Sequence, residues 1–240
     1  MNKVNINADL GEMAGQDEEI MPYLNSCNIA TGGHVGDAKS IQKTINLAKR
    51  YNVKIGAHPS YPDHENFGRV RPDISDKELH KSLTHQLQNF YKITAENNVD
   101  VHHIKPHGAL YHDVVNDKSK AELFLEVLAD LGLKTLIYTL KDSFLDQLGR
   151  KNHRILHEAF IDRRYNLDLS LVSRKEKDAL IEKPEEVWNQ FYSMVFLNKI
   201  NVISGEVIDI RADTFCIHGD HPNAVNILKF IQEKLELIKP

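Results

Sequence analysis

The stretch VHHIKPHGALYHDVVNDKSKAELFLEVL, residues 101–128, contains the pattern that decides the fold. It begins with a strand candidate over residues 101–105, which contains Val101 and Ile104, and continues through a polar turn. It ends in a stripe of Ala121, Phe124 and Leu128, whose spacing of three and four residues is typical of one helix face. The segment therefore predicts a strand, a loop and an amphipathic helix that packs back on the strand.

The same alternation recurs along the whole chain. Seven strand-helix units predict parallel strands with right-handed crossovers, either closed into a barrel or left as an open doubly wound sheet. Periodicity alone leaves both arrangements open. With 240 residues and no linker-like tract, the chain is expected to form a single domain over residues 1–240. The predicted strands are 4–8, 27–30, 53–57, 101–105, 133–138, 154–158 and 214–218, with a further strand or hairpin in 202–210.

Four local patterns predict where helices begin. Two have the spacing of a capping box, and two would place proline in the first helical turn. They are Ser75 with Glu78, Ser119 with Glu122, Pro184, and Pro222.

Composition excludes several classes of partner. The 30 Lys and Arg against 34 Asp and Glu give a net charge of -4, which does not supply the basic face that nucleic acid requires. No run approaches the roughly 20 apolar residues that span a bilayer. Cys27 and Cys216 each lie in an apolar run and are expected to be reduced core thiols. We expect a cytoplasmic enzyme or binding protein, with no nucleic-acid or membrane partner and with homo-oligomerisation left open.

Titratable residues collect at the ends of the predicted strands. The carboxyl ends of parallel strands meet on one side of an α/β fold, so these side chains are expected to form a site. In chain order the polar and titratable residues include Asp9, Glu12, His34, Asp37, His58, Ser60, Tyr61, Asp63, Lys105, His107, Tyr111, Tyr138, Glu158, Asp162, Arg163, His218 and Asp220.

Other interpretations apply to some of these motifs. Asp9 with Glu12 also fits a helix-entry cap, and Ser60 lacks the turn that exposes a nucleophile. A metal site is possible, because nitrogen and oxygen ligands come from neighbouring strand ends, but no HExxH pattern supports it and the metal stays unknown. The candidate metal ligands are Asp9, His34, His58 and His218. The histidines expected to be ordinary surface residues are His64, His80, His85, His112 and His153, and those expected within a strand are His102 and His103.

Six motifs, in this order, resemble the LamB/YcsF family over nearly the whole chain. They are NINADLGE, CNIATGGHVGD, IGAHPSYPD with the following NFGR, IKPHGALYH, EAFIDRRYN and DTFCIHGDHPNAV. The resemblance implies a distorted seven-stranded (β/α) barrel similar to the glycoside hydrolase/deacetylase superfamily. It also implies ATP-dependent opening of 5-oxoproline to L-glutamate, together with 5-oxoprolinase subunits B and C. Ala8 and Thr31 stand where the family often has Cys, and Val70 stands where it often has Arg.

For that reaction, Mg-ATP would phosphorylate the lactam oxygen and make the ring carbon electrophilic. The hypothesis gives the role of general base to Asp9 or His58, while Lys105 and Arg163 hold phosphate or the substrate carboxylate. The chain has no Walker-type loop, so any contact of its own with ATP would use another geometry.

The hypothesis also names a general acid for the departing nitrogen. His107 or His218 would protonate it, with Glu158 and Asp220 orienting the histidines. The remaining residues expected to bind substrate or phosphate are Glu12, His34, Asp37, Ser60, Tyr61, Arg69 and Tyr111.

Two alternatives from other classes stay open. One is a metal-dependent amide hydrolase such as a deacetylase, which would retain a stoichiometric metal on purification. The other is a non-catalytic protein that binds a sugar or an amino acid, which would show binding without turnover.

Overall fold

Seven parallel strands close into a barrel in the part of the chain that the structure describes, residues 4–13 and 15–238. The structure is a computed structural model. Closure confirms the barrel and excludes the open sheet that periodicity left possible. Around the barrel, in order, the strands are β1 (Asn5–Leu10), β2 (Ser26–Ala30), β3 (Lys54–His58), β4 (Val101–Ile104), β5 (Leu136–Thr139), β6 (Ile155–Phe160) and β9 (Thr214–Ile217).

Helices surround the barrel and bury their apolar stripes against it. In α5, for example, Ala121, Phe124 and Leu128 are fully buried, as their spacing predicts. Within the described ranges, none of the helices has the length and apolar character that a bilayer crossing requires. The helices are α1 (Asp17–Ile20), α2 (Ala38–Tyr51), α3 (Asp76–Glu96), α4 (Gly108–Asn116), α5 (Lys118–Asp130), α6 (Phe144–Gly149), α7 (Pro184–Tyr192) and α8 (Ala224–Leu237), with a short 3-10 turn at Met21–Tyr23 and a π-helical segment at Ser193–Leu197.

Two of the four predicted helix starts are confirmed. Ser75 forms a reciprocal capping box at the start of α3, and Pro184 occupies the first turn of α7. The cap predicted at Ser119 is wrong, because Asp117 caps α5 by accepting hydrogen bonds from the next backbone amides. Pro222 lies in the turn before α8 rather than in its first helical turn.

The strand predictions are correct in number and wrong at some ends. The fifth strand, expected over 133–138, begins only at Leu136, after a turn that follows α5. The segment 202–210 does belong to a hairpin, formed by β7 (Lys199–Asn201) and β8 (Val207–Asp209). These two strands pair antiparallel in a separate sheet, so they do not take part in barrel closure.

The interior of the barrel contains polar side chains, and Gly56 leaves the space that one of them, His103, occupies. Where β3 pairs with β4, the register shifts between Ile55 and Gly56. A Cβ atom on Gly56 would lie 2.2 Å from Nε2 of His103, so glycine is required for this imidazole to lie inside the barrel. There the ring stacks on Tyr138 with centroids 3.9 Å apart. The predicted strand location of His102 and His103 is confirmed in β4.

Candidate active site

A buried lysine lies between two carboxylates at the carboxyl end of the barrel. Lys105 directly follows β4 and is only 2% exposed. Its Nζ donates to Oδ1 of Asp9 at 2.9 Å and lies 3.1 Å from both Oε1 of Glu158 and Sγ of Cys216. Strands β1, β4, β6 and β9 thus bring their ends to one cation.

This group has one lysine for two carboxylates, and the pKa values of the two carboxylates shift in opposite directions. Burial alone would raise the pKa of Asp9, but the charges of His58 and Lys105 outweigh burial and hold it well below its usual range. Burial raises the pKa of Glu158, only partly opposed by Lys105 and reinforced by the charge of Asp9. Asp9 is therefore the ionised partner of the lysine, while Glu158 is shifted toward its neutral form.

Two asparagines inside the barrel hold these carboxylates in place. Asn7 Nδ2 donates to Oε1 of Glu158 at 3.1 Å, and Asn28 Nδ2 donates to Oδ1 of Asp9 at 2.7 Å. Nδ2 of Asn28 also donates to the side-chain oxygen of Asn7 at 2.8 Å, which joins the two halves of the network. Nε2 of His103 lies 2.6 Å from Oδ1 of Asn28, which extends the hydrogen-bond network into the barrel. Buried polar atoms need such partners, so the network fixes the carboxylates.

Three histidines and Glu12 form a second cluster beside the lysine. His34 and His107 stack in parallel, with centroids 3.7 Å apart and an interplanar angle of 2°. Oε1 of Glu12 lies 3.0 Å from Nε2 of His34 and 3.2 Å from Nδ1 of His107. The same Nδ1 lies 3.0 Å from Nε2 of His58, which in turn lies 3.4 Å from Oδ2 of Asp9. The loops after β1, β2 and β4 therefore meet the end of β3.

Two glycines allow the loops to approach this closely. Gly108 has φ of +52°, and a Cβ there would lie 2.4 Å from the carbonyl oxygen of Gly68. A Cβ on Gly68 would in turn lie 2.8 Å from the ring of His107. The backbone conformation and the lack of space both favour glycine, which places His107 at the start of α4 against the loop after β3.

A histidine–aspartate pair stands at the ends of β9 and β6. Nδ1 of His218 lies 2.8 Å from Oδ2 of Asp162, which also accepts the backbone amide of His218 at 3.0 Å. Burial opposes ionisation of Asp162, but the charge of His218 and its hydrogen bonds outweigh burial and lower the pKa. The expected orienting residues differ: Asp220 pairs with Arg69, and Glu158 pairs with Lys105 rather than with a histidine. The carboxylate that orients His218 is Asp162, its neighbour in space.

Next to Asp162 in the chain, Arg163 brings a second buried cation to this end of the barrel. The residue is 6% exposed, and its guanidinium donates to the carbonyl oxygen of Val172. Within the described residues its Nε has no hydrogen-bond partner. Burial and the positive charges of Arg174 and Arg69 lower the pKa of Arg163 to about 10, so it remains a cation near neutral pH. A buried cation with an unused donor and like-charged neighbours is suited to binding an anion.

The other predicted site residues differ in their contacts. Asp37 is exposed and caps α2 by accepting the amide of Ser40, because the loop after β2 turns outward before the helix. Tyr61 is buried, and its hydroxyl donates to Asp113 at 2.7 Å. Ser60 Oγ lies 2.9 Å from Nδ1 of His34 and so supports the histidine cluster. Tyr111 is buried, and burial and the charge of Glu158 raise its pKa.

Sequence reasoning missed several residues of the site. Asn7 and Asn28 lie within strands rather than after them, and the signal was a polar residue alternating with apolar ones. Asp162 was among the strand-end residues but had no assigned role. Cys216 was correctly expected to be a free, buried thiol, but its contact with Lys105 was not. The expected surface histidines are exposed (His64, His85 and His112) or partly exposed (His80 and His153).

Comparisons with known proteins agree over the whole length. The model of the LamB/YcsF family matches residues 4–239. The A subunit of 5-oxoprolinase from Pyrococcus furiosus is 38% identical over 240 residues, which cover 98% of this chain and 94% of that protein. A protein of the same name from Neisseria meningitidis serogroup C is 34% identical over 236 residues, covering 98% and 96%.

A solved structure is similar in both fold and sequence. The crystal structure of the lactam utilization protein from Thermus thermophilus superposes with a TM-score of 0.89 at 32% identity, covering 98% of this chain and 96% of that one. The match of the family model, the relatives and this structure together show that the chain belongs to the LamB/YcsF family.

Proposed function

We propose that this chain is the A subunit of an ATP-dependent 5-oxoprolinase, which acts with subunits B and C. The reaction converts 5-oxoproline to L-glutamate while ATP becomes ADP and phosphate. The names of the relatives support the substrate. The observation that carries the proposal is the His218–Asp162 pair beside the buried cation Arg163, at the same barrel end as Lys105.

The substrate sets two chemical demands on such a site. 5-Oxoproline carries a carboxylate, and its activated form carries a phosphoryl group, so the site needs cations. The planar guanidinium of Arg163 suits either group through paired hydrogen bonds. Arg69 lies nearby on the rim, where its ion pair with Asp220 joins the loop after β3 to the loop after β9. We assign the binding of the anionic groups to Arg163 and Arg69.

The lactam is an unactivated amide whose ring closure is favoured, so hydrolysis must be driven. Phosphorylation of the lactam oxygen by ATP makes the ring carbon electrophilic. Water then bonds to that carbon and gives its proton to Nε2 of His218. The ring C–N bond breaks, and the nitrogen takes the proton from His218. The resulting acyl phosphate loses phosphate to a second water. Asp162 stabilises the imidazolium, as an aspartate does in hydrolases that use one histidine as base and then as acid.

The contacts favour His218 over the two bases expected from the sequence. Asp9 is held by Lys105 and Asn28, and its low pKa makes it a poor proton acceptor. Nε2 of His58 faces His107 and Asp9 instead of an open position. Nδ1 of His218 is bound by Asp162, which leaves Nε2 for proton transfer, and the side chain is 14% exposed.

The test is L-glutamate formation from 5-oxoproline and Mg-ATP with subunits B and C from the same source. We expect glutamate only when this chain, both partners and ATP are all present. Replacing the cation (Arg163→Met) should raise KM for 5-oxoproline more than it lowers kcat, whereas Arg163→Lys should retain part of the affinity. If omitting this chain changes nothing while B and C are folded and assembled, the proposal fails. If glutamate forms without ATP, the protein is a stand-alone hydrolase and the ATP-dependent proposal is wrong.

A further inference from the structure

The histidine cluster has no part in the proton transfers assigned above, yet four of its acceptor atoms converge. They are Oδ2 of Asp9, Oε1 of Glu12, Nε2 of His58 and Nδ1 of His107, on four buried residues. The ligand atoms of Asp9, His58 and His107 lie within 4.8 Å of one another. We propose that these three residues bind one divalent transition-metal cation of the zinc class, with Glu12 supporting the site through His107.

The hydrogen bonds of the two histidines fix which nitrogens are free. Nδ1 of His58 lies 2.7 Å from the carbonyl oxygen of Lys105, and Nε2 of His107 lies 2.9 Å from the carbonyl oxygen of Phe67. A carbonyl oxygen only accepts, so each of these nitrogens carries the hydrogen. In a neutral ring the other nitrogen then has a lone pair. A backbone carbonyl on the far nitrogen is also the usual partner of a histidine that ligates a metal.

As a result, two lone pairs face each other at 3.0 Å, between Nε2 of His58 and Nδ1 of His107. The carboxylate oxygens of Glu12 and Asp9 lie 3.2 Å from Nδ1 of His107 and 3.4 Å from Nε2 of His58, respectively. Four acceptors this close repel one another unless a positive charge lies among them. A proton would bridge only one pair of these atoms, whereas a metal cation could bind the two nitrogens and the Asp9 carboxylate together.

The distances fit a small cation. Metal–ligand bonds of about 2.0–2.1 Å in a tetrahedron separate the ligand atoms by about 3.3–3.4 Å. The measured separations are 3.0, 3.2 and 3.4 Å, with 3.9 Å between Nε2 of His58 and Oε1 of Glu12. Calcium takes six to eight oxygen ligands and magnesium keeps several waters, so paired imidazoles favour zinc, cobalt or nickel instead.

Neighbouring residues hold the ligands in these positions. His34 stacks on His107 and contacts Oε1 of Glu12, and Ser60 holds the far side of its ring. Lys105 and Asn28 contact the other carboxylate oxygen of Asp9, so only Oδ2 faces the cluster. A bound divalent cation would supply positive charge near the reacting lactam.

The test uses the full-length chain alone, without ATP or the partner proteins, so it is independent of the proposed function. After removal of metal with a chelator, Zn²⁺ is titrated by calorimetry, and metal content is measured by mass spectrometry after dialysis. Co²⁺ provides a visible spectrum that reports coordination. We expect one Zn²⁺ per chain and a Co²⁺ spectrum typical of four-coordinate nitrogen and oxygen ligands.

Three variants locate the site. His58→Asn should abolish stoichiometric binding, and Glu12→Gln, which keeps the side-chain shape, should weaken it by at least about 10-fold, the lower end of what loss of a supporting residue costs. The matched control is His80→Asn, which removes the partly exposed cluster of His80, Glu126 and Asp130 and should leave binding unchanged. Circular dichroism establishes that each variant is folded.

Three results would overturn the inference. They are the absence of saturable binding to the wild-type chain, unchanged affinity in folded Glu12→Gln, and loss of binding in His80→Asn. Absence of binding would mean that His58 and His107 share a proton instead of a metal. Loss of binding in His80→Asn would place the metal at the surface cluster. Glutamate formation by the complex tests the proposed function separately, so the two can fail independently.

Discussion

Replacing Lys105 with methionine should destabilise the whole barrel, although the change is roughly conservative in volume. The lysine is the cation nearest to two buried carboxylates, with Nζ 2.9 Å from Asp9 and 3.1 Å from Glu158. At an effective dielectric constant of about 20, each contact is worth about 5–6 kcal/mol of gross attraction, most of which offsets desolvation. Removing one partner of a buried ion pair costs about 3–5 kcal/mol, because the other charge stays buried.

The environment of Glu158 refines this magnitude. Its pKa is already raised by burial, so it takes up a proton readily and limits the loss. Asp9 keeps its charge and carries most of the penalty. We therefore expect Lys105→Met to lower the free energy of unfolding by about 3 kcal/mol, the lower end of that range. Adding Glu158→Gln should recover about 1 kcal/mol, as expected for residues in direct contact.

The assay is urea unfolding followed by circular dichroism, with the slope of the transition checked for constancy. Lys92→Met serves as the control, because Lys92 has 74% of its side chain exposed, and it should change the free energy by less than about 0.5 kcal/mol. The reasoning is refuted if Lys105→Met matches this control. It is also refuted if the costs of Lys105→Met and Glu158→Gln are simply additive, since the two groups would then not interact.

Three further predictions concern the His218–Asp162 pair, the close approach of Gly219 to β1, and stability in acid. His218→Asn should lower kcat for glutamate formation by about 10²–10⁴-fold, while Asp162→Asn should lower it less and shift the pH profile, both measured with this chain limiting. Gly219→Ala should lower the thermal midpoint, measured by calorimetry, because its Cβ would lie 2.1 Å from the carbonyl oxygen of Asp9. Burial and two basic neighbours lower the pKa of His102 to about 4, so the unfolded chain binds the proton first as pH falls below about 6.5. His102 should therefore contribute a fall of about 1 kcal/mol in the free energy of unfolding from pH 7 to 5, half the full linkage value because the ring is partly exposed. His102→Gln should make the total fall, measured by urea titration at each pH, smaller by this amount.

The architecture could be predicted from the sequence because each element carries its own local signal. The stripe on α5 and the capping box at Ser75 both depend on residues a few positions apart, and both are confirmed. Closure of the barrel is a long-range property, since it depends on β6 pairing with β9 and β9 with β1. Periodicity does not record those pairings. Helix starts failed where a nearby residue competed, as Asp117 did with Ser119.

The candidate site could be predicted in outline but not in its pairings. That polar residues at strand ends meet follows from the geometry of parallel sheets, and Asp9, His58 and Lys105 do meet. Which acid faces which base depends on the relative positions of loops that are far apart in sequence. The sequence therefore suggested Asp220 as the residue that orients His218, whereas the structure has Asp162 there. The interior asparagines were missed because a strand-end rule does not look inside strands.

Charge balance connects the lysine to the histidine cluster. Lys105 compensates Asp9, while Glu158 is shifted toward its neutral form, so the lysine has no charge left for a third carboxylate. Glu12 is buried nonetheless, and its contacts are imidazole nitrogens of His34 and His107. An ionised carboxylate is stable in such a place only when a positive charge is close. This arrangement needs either an imidazolium or a bound cation at the end of the barrel, and the geometry of the four facing acceptors favours the cation.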